Sequence, residues 1–456
     1  MKLSEYPYPG VQKPFAHQIA TVHFCLRHPR GFILNGMGTG KTMSVLWATD
    51  ILFVHNKISK VLIVAPLSIL EAVWGNEIKN RMPHRTYRIL FGTTQQRMHL
   101  LSSKAHYYII NHDAVRIDKM EKALIDAKFD VCIIDELTAF KNATSKRSKA
   151  LRNITKKCKA VWGLTGSPTA NSPIDAFGQA KLVNPENITP YFTRFRDAVM
   201  TQLDPYTYIP KNGWENIVKK ALSPGIRYAI EDCIDLPPVI EQDRYVEMSK
   251  EQKKMYDEMR KHFMTEYENG LITASNAGVK ALKLLQISAG CVYDDQKFLY
   301  HIDCGPKLQE LLDIFWENGG DKILVFSAFR GSVALVTNFL RSKGISCESI
   351  DGDTDPKSER PRIYREFQEG NLKAISAQAS TVSYGLNLTA SRLMVWFTPV
   401  PSNLVFMQAN ARVRRPGQTR TQIQVHMSCS AAERRVYSAL RNKEKMGQAL
   451  LELFKR

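Results

Sequence analysis

The sequence lacks the patterns that mark several classes of protein. It has eight cysteines but no Cys-x-x-Cys pair and no histidine-rich cluster, so neither a zinc site nor a disulfide framework is indicated. No apolar run approaches the roughly 18 residues of a membrane-spanning helix, and residues 1–7 lack the apolar core of a signal peptide. We find no low-complexity tract or short-period repeat. These absences predict a cytoplasmic protein with reduced thiols and no membrane association.

Length and charge indicate what the chain contains. At 456 residues it exceeds what one hydrophobic core usually supports, so two or three domains are expected. The formal net charge of +19 is far from neutral. Such a balance predicts a polyanionic partner, nucleic acid before a membrane surface.

A phosphate-binding loop is the strongest local signal. Residues 35–42 read Asn-Gly-Met-Gly-Thr-Gly-Lys-Thr, after the apolar run 31–34 and before a helical pattern. Backbone N–H groups of such a loop, with a helix N-terminus and a lysine, bind phosphate oxygens. The pattern Gly-x-x-x-x-Gly-Lys-Ser/Thr departs only at Asn35. The loop predicts binding of ATP and Mg²⁺ through Gly36, Gly38, Gly40, Lys41 and Thr42, with the Thr42 hydroxyl on the metal.

A second nucleotide element follows at residues 131–136, Val-Cys-Ile-Ile-Asp-Glu. It has the form of a buried strand that ends in two acids. Asp135 is predicted to hold Mg²⁺, and Glu136 to orient or deprotonate the attacking water. The alternative, a strand end with two solvated acids, loses weight beside the loop at 36–42.

Two α/β blocks are predicted, each with a parallel sheet, because short β-branched runs alternate with helical patterns. A mostly helical stretch, about 185–305, separates them. The expected domains are 1–230, 231–304 and 305–456, and the fold class is α/β. The predicted strands are 31–34, 61–65, 107–110, 131–134 and 161–164 in the first block, and 322–326, 374–376, 393–397 and 423–427 in the second.

Residues 408–418 of the second block place Arg412 and Arg415 three positions apart. If this segment is helical, both side chains lie on one face. They could then reach the γ-phosphate as arginine fingers, which stabilise the charge of the reacting state. The alternative is a basic helix that faces solvent or DNA.

These elements occur in the order of a known family, and the chain resembles Swi/Snf-like DNA translocases of helicase superfamily two. The similar segments cover nearly the whole chain, although Leu137-Thr138 and Ser383-Tyr384 depart from the family pattern. The segments are 17–18, 35–42, 64–68, 135–142, 164–168, 236–238, 305–308, 325–327, 351–353, 380–389 and 408–418.

The resemblance implies two RecA-like lobes with a helical insertion between them, ATP and Mg²⁺ in the cleft, and DNA across both lobes. It implies that Gln18 reads adenine, that Gly385 and Gln408 contact the nucleotide, and that Arg412 and Arg415 are the fingers. DNA contacts are implied at Pro66, Ser68, Asn111, Ser327, Ser380 and Thr381.

The sequence adds a basic run between residues 141 and 159 without any acid. Lys146 and Arg147 in this run are predicted to contact DNA phosphates. The alternative is a solvated helix face.

The predicted function is ATP-driven translocation on double-stranded or branched DNA, which remodels forks and junctions or displaces bound strands and proteins. The expected partners are DNA and replication or recombination proteins, with the chain a monomer in a bacterial or phage-infected cell. Two alternatives stay open: an RNA-dependent helicase, and a DNA-binding scaffold or clamp that binds ATP without turnover.

Overall fold

The structure, a computed structural model, describes residues 6–10, 13–204, 207–268, 274–294, 296, 298–355, 358–382 and 388–455. Contacts divide the chain into two compact units. The first comprises Met1–Asp235 and Lys443–Arg456, and the second comprises Leu236–Asn442.

The first unit is built on a parallel sheet of seven strands. Its described strands are β1 (Arg30–Ile33), β2 (Val61–Ala65), β3 (Tyr87–Ile89), β4 (Tyr107–Asn111), β5 (Val131–Ile134), β6 (Ala160–Leu164), β7 (Met200–Gln202), β8 (Tyr208–Pro210) and β9 (Gly225–Ile226). The sheet order is β3-β4-β2-β5-β6-β1-β9, and β7 and β8 form a separate antiparallel pair. Strands β2, β5 and β6 are buried at every residue, as is usual when both faces of a parallel sheet are covered.

Helices connect these strands. They are α1 (Ala16–Arg27), α2 (Lys41–Val54), α3 (Asn76–Arg81), α4 (Thr94–Ser102), α5 (Asp118–Asp126), α6 (Lys146–Thr155), α7 (Ala176–Val183), α8 (Phe192–Val199) and α9 (Trp214–Ala221). A π-helical segment, Leu70–Gly75, precedes α3. Side-chain caps begin some of the helices: Thr93 accepts from the backbone N–H of Gln96, and Ser145 from that of Ser148.

The second unit contains a parallel sheet of six strands in the order β10-β17-β16-β13-β15-β14. The strands are β10 (Val239–Tyr245), β11 (Cys291–Tyr293), β12 (Leu299–His301), β13 (Ile323–Ser327), β14 (Cys347–Ile350), β15 (Ala374–Gln378), β16 (Leu393–Trp396) and β17 (Gln422–Ser428). Strands β11 and β12 pair antiparallel outside the sheet. The helices are α10 (Lys250–Glu268), α11 (Ala274–Ser288), α12 (Gly305–Glu317), α13 (Arg330–Ser342), α14 (Glu359–Glu369), α15 (Ala379–Val382), α16 (Asn403–Asn410) and α17 (Ala431–Glu452). The last of these, α17, begins in the second unit, and its residues from Lys443 onward belong to the first.

The buried polar residues of the second unit include an ion pair and a histidine. Lys307 and Glu433 form an ion pair with 2.6 Å between Nζ and Oε1, and each side chain is at most 1% exposed. The His426 ring on β17 packs against Phe406 and Tyr437. Burial is the main cause that lowers the pKa of His426 to about 4, so its imidazole is neutral at pH 7.

The predicted fold class is confirmed, because both parallel sheets are present and every predicted strand forms within a residue or two of its predicted bounds. Among the strands of the two large sheets, β3, β9, β10 and β14 were not predicted. The stretch 185–305, expected to be mostly helical, contains six short strands besides its helices within its described residues. They are β7, β8, β9, β10, β11 and β12.

The contact-based division differs from the three expected domains, which stay a prediction. The C-terminal residues of the chain belong to the first unit, because Leu450, Leu451 and Phe454 are buried in that unit's hydrophobic core. Among the described residues, no helix is both long and apolar enough to cross a membrane.

Candidate active site

The glycine-rich loop joins the end of β1 to the first residue of α2, Lys41. Gly38 and Gly40 have φ of +79° and +76°, in the left-handed region that favours glycine. Gly36 is constrained differently, because a Cβ there would lie 3.2 Å from the backbone nitrogen of Ile230. The predicted phosphate-binding glycines therefore meet real backbone requirements.

Lys41 lies at the start of this loop-to-helix junction. Its Nζ donates to the backbone oxygens of Asn35 and Gly36, at 2.9 Å each. The helix that it begins has 14 residues, so its N-terminal N–H groups and dipole favour an anion at the loop. Lys41 adds a full positive charge there.

Gln18, the predicted adenine reader, packs directly against the loop. Its Oε1 accepts from the backbone N–H of Phe15 at 3.0 Å, and a Cβ on Gly40 would lie 2.1 Å from its Nε2. His17 also contacts the loop, with Nε2 2.9 Å from the carbonyl oxygen of Thr39. Segment 17–18 is therefore adjacent to the loop, as the resemblance implies.

The two predicted acids follow β5, which lies two strands from β1 in the same sheet. Asp135 is tied to the neighbouring strand through its N–H, which donates to the Val64 oxygen at 2.8 Å. Burial raises the pKa of the Asp135 carboxyl, and the Lys41 ammonium opposes that shift.

Glu136 has an unusual backbone. Its φ is +49°, a conformation that is uncommon for a residue with a side chain. Such strain persists where the surroundings impose it, often at functional sites. The role predicted for Glu136, to orient or deprotonate the attacking water, stays a prediction.

The available groups fit ATP with Mg²⁺. Thr42 and Asp135 provide oxygen donors, the type that Mg²⁺ prefers. Among the described residues, no cluster of three or more His, Cys, Asp or Glu could hold a metal by itself. Phosphate oxygens and water would be the further ligands of Mg²⁺, which is how Mg²⁺ is usually bound with nucleotides.

Sequence reasoning missed three residues that support the loop, namely Thr21, Arg227 and Tyr228. The Asn35 amide donates to Thr21 Oγ1 at 2.9 Å and accepts from the Tyr228 N–H at 3.0 Å. Arg227 donates to the Leu34 oxygen at 2.8 Å, across 193 positions of sequence. Burial lowers the pKa of this arginine. No local pattern marks the contacts of Arg227 and Tyr228, because these residues follow the two-residue strand β9, which pairs beside β1.

In the second unit, α16 ends at Asn410, so the condition under which Arg412 and Arg415 would share one helical face is not met. Both arginines lie in the turns that follow the helix, and burial lowers the pKa of Arg415 to about 10. Gln408 is fully buried, and neither polar atom of its amide has a hydrogen-bond partner within the described structure. Such a group can accept a further ligand. Gly385 lies outside the described residues.

The predicted DNA contacts differ in accessibility. Ser68, Ser380 and Lys146 are exposed. Arg147 is half-buried, 3.8 Å from the Asp113 carboxylate, and its guanidinium lies 5.8 Å from the Phe140 ring centroid.

The other predicted contacts are engaged or covered. Pro66 is buried, and Ser327 has no exposed surface. The Asn111 oxygen accepts from Arg97 at 3.0 Å, and Thr381 donates to the Gln378 oxygen at 2.7 Å. The side chains of Pro66 and Ser327 therefore do not reach the surface in this structure.

The basic run forms one face of α6 and the turn after it. Ser148, Leu151 and Ile154 point into the unit, which leaves the lysines outside. Acids pair with some of the basic residues, namely Lys141, Arg147 and Lys159. The exposed basic residues of this run that form no ion pair with any described residue are Lys146, Lys149, Lys156 and Lys157.

Two family models match the chain. The model described as the SNF2-related domain matches residues 17–294, and the helicase conserved C-terminal domain matches residues 306–417.

Individual proteins are similar over most of the chain. A protein named p41 of Acyrthosiphon pisum secondary endosymbiont phage 1 is 25% identical over 410 residues, 85% of each chain. An ATP-dependent helicase of Mycoplasma genitalium is 26% identical over 91% of this chain but only 40% of that helicase. The solved Sulfolobus solfataricus SWI2/SNF2 ATPase core in complex with dsDNA aligns over 99% of this chain and 95% of that one, with 21% identity and a TM-score of 0.48.

Proposed function

The chain belongs to the SNF2-related ATPases, and we propose that it uses ATP hydrolysis to translocate along double-stranded or branched DNA. The family match extends over 17–294, more than half of the chain, and a helicase C-terminal domain follows it. The finer part of the proposal is that this movement remodels forks and junctions or displaces bound strands and proteins.

One observation carries the proposal: the loop and the acidic pair end two strands of one sheet, with only β6 between them. Lys41 and the N-terminus of α2 would bind the phosphates. Thr42 and Asp135 would hold Mg²⁺, which neutralises charge on the β- and γ-phosphate oxygens when bound. Glu136 would orient the attacking water. In the second unit, Gln408 is our candidate for a nucleotide contact, and Arg412 and Arg415 are our candidates for arginine fingers.

DNA is the proposed track because the unpaired lysines of α6 and its following turn offer charge without sequence preference. Lysines of this kind contact phosphates and release counterions on binding. Ser68 and Ser380 are exposed small polar residues that suit backbone contacts at successive steps. Sequence-neutral contacts of this type are what a translocase requires.

Displacement of a third strand from a DNA triplex tests the proposal. Translocation along the duplex removes the third strand only when ATP is hydrolysed, so the wild-type chain should release it and Lys41→Ala should not. Glu136→Gln is the second control, because it should keep nucleotide binding while losing turnover. Robust duplex-stimulated ATPase without any third-strand release would contradict translocation.

A further inference from the structure

Trp74 contacts the carboxylate of Asp135, the predicted metal ligand. It lies in the π-helical segment Leu70–Gly75 and is fully buried. Its indole Nε1–H donates to Asp135 Oδ2 at 3.0 Å. We propose that Trp74 is a positioning residue for Asp135, and that it links the metal site to the DNA-facing segment before it.

Asp135 is held from several sides. While Trp74 donates to Oδ2, the Glu136 N–H donates to Oδ1 at 2.9 Å. His112 Nε2 lies 2.8 Å from the backbone oxygen of Asp135. Because each carboxylate oxygen already has one donor, rotation of the side chain is restricted. The remaining lone pairs then have a fixed direction, which is what a metal ligand needs.

The π-helix explains how Trp74 reaches this position. Strand β2 pairs with β5, and the chain after β2 passes through a short 3-10 turn, Leu67–Ile69, before the π-helix begins. A π-turn is wider than an α-turn, and such turns occur frequently at functional sites. Here it places the tenth residue after Val64 over the end of the neighbouring strand, where Asp135 lies.

The same stretch of chain contains Ser68, which is proposed to contact DNA. Ser68 is exposed, and so is its neighbour Leu67, at 56%. Only five residues lie between Ser68 and Trp74, and the turns between them are continuous. Movement of this segment on DNA would therefore shift the donor to Asp135. This link rests on the proposed function, whereas the positioning of Asp135 does not.

Trp162 provides a matched control. It is also in the first unit, is 1% exposed, and donates through Nε1 to a protein oxygen, the carbonyl of His28 at 3.0 Å. Replacing either tryptophan with phenylalanine removes one indole donor and a similar buried volume. Only Trp74→Phe removes a donor to Asp135.

The test measures the dissociation constant of the fluorescent nucleotide mant-ADP in Mg²⁺ and in EDTA. The constant in EDTA divided by the constant in Mg²⁺ reports how much the metal strengthens binding. Loss of a group that orients a metal ligand typically costs 10–100-fold in metal affinity, so Trp74→Phe should lower this ratio about tenfold or more. The EDTA value should stay at the wild-type level, and Trp162→Phe should leave the ratio unchanged. An unchanged ratio in Trp74→Phe, or an equal fall in both variants, would overturn the proposal.

Tryptophan emission gives a second readout that does not need the Trp74→Phe variant to fold. Adding Mg²⁺ to the complex with AMP-PNP should change the emission of the wild type and of Trp162→Phe alike. Asp135→Asn should abolish this change. Emission that ignores Mg²⁺ in both proteins would count against an indole in contact with the metal ligand.

Adding duplex DNA to the same samples tests the link to segment 67–75. The wild type should show an emission change on DNA that Trp74→Phe lacks and Trp162→Phe keeps. DNA binding without such a change would refute the link. If the wild type binds no DNA at all, the proposed function fails, while the Mg²⁺ ratio still decides whether Trp74 positions Asp135.

Discussion

Replacing Gly40 with alanine tests whether the nucleotide loop needs both its left-handed backbone and its missing side chain. At φ of +76°, a Cβ costs about 1–2 kcal/mol. That Cβ would also lie 2.1 Å from Gln18 Nε2, so Gln18 must leave its position. Its hydrogen bond with the Phe15 N–H, worth about 1 kcal/mol, would then be lost.

We expect Gly40→Ala to lower the free energy of unfolding of the first unit by about 2–3 kcal/mol from these two terms. If Gln18 reads adenine, its displacement should weaken ATP binding about fivefold to tenfold, since 1.4 kcal/mol is tenfold. GTP binding should change less. Thermal unfolding and competition of ATP or GTP against mant-ADP measure these effects.

Gly213→Ala is the matched control. Gly213 has φ of +78° and also precedes a helix, α9, but a Cβ there meets nothing within 4 Å. It should therefore show the backbone cost of about 1–2 kcal/mol without any loss of ATP binding. Wild-type ATP affinity in Gly40→Ala, or an equal loss in Gly213→Ala, would refute the reasoning.

Three further predictions concern charge. The pKa of His426 is about 4 in the folded chain, below its usual 6.5, so as the pH falls the unfolded chain binds the proton before the folded chain does. The contribution of His426 to the free energy of unfolding should therefore be fully present above pH 6.5 and fall by about 3 kcal/mol as the pH drops to 4. Thermal unfolding across that range should show a shallower loss in His426→Gln, and an unchanged acid dependence would contradict the assignment. Reversing Lys146 and Lys149 to glutamate should reduce the slope of log affinity against log salt for duplex DNA by about 2 or more, whereas an unchanged slope would remove α6 from the interface. Lys307→Met should destabilise the second unit by about 3–5 kcal/mol, because it leaves Glu433 buried without its partner. Adding Glu433→Gln should recover part of this loss in thermal unfolding. A loss of stability below about 1 kcal/mol in Lys307→Met would show that the ion pair is not needed.

The sequence predicted the parts of the site that are encoded locally. The loop at 36–42 and the acids at 135–136 were found because phosphate and metal binding need those residue types at fixed spacing. The parallel strands were found because continuous apolar runs indicate burial on both faces. Local pattern and tertiary structure agree at these positions.

Contacts between distant residues could not be predicted in this way. Asn35 is joined to Tyr228 only after β9 pairs with β1, and a two-residue strand has no periodicity to detect. Trp74 reaches Asp135 through a π-helix, which apolar spacing does not reveal.

In the second unit, residue spacing did not predict how side chains are oriented. Arg412 and Arg415 continue the pattern of α16, but the backbone leaves the helix at Asn410. The resemblance implies a DNA contact at Ser327, which ends β13, yet this residue has no exposed surface. Residue spacing gave the neighbourhood of these groups but not the direction of their side chains.

Steady-state ATPase activity with no polymer, single-stranded DNA, duplex DNA, a four-way junction or RNA tests the central claim most directly. The account predicts strong stimulation by duplex or junction DNA, and loss of turnover in both Lys41→Ala and Glu136→Gln. Stimulation by RNA above all DNA forms would contradict the proposed DNA track. Nucleotide binding without turnover under any condition would contradict a motor.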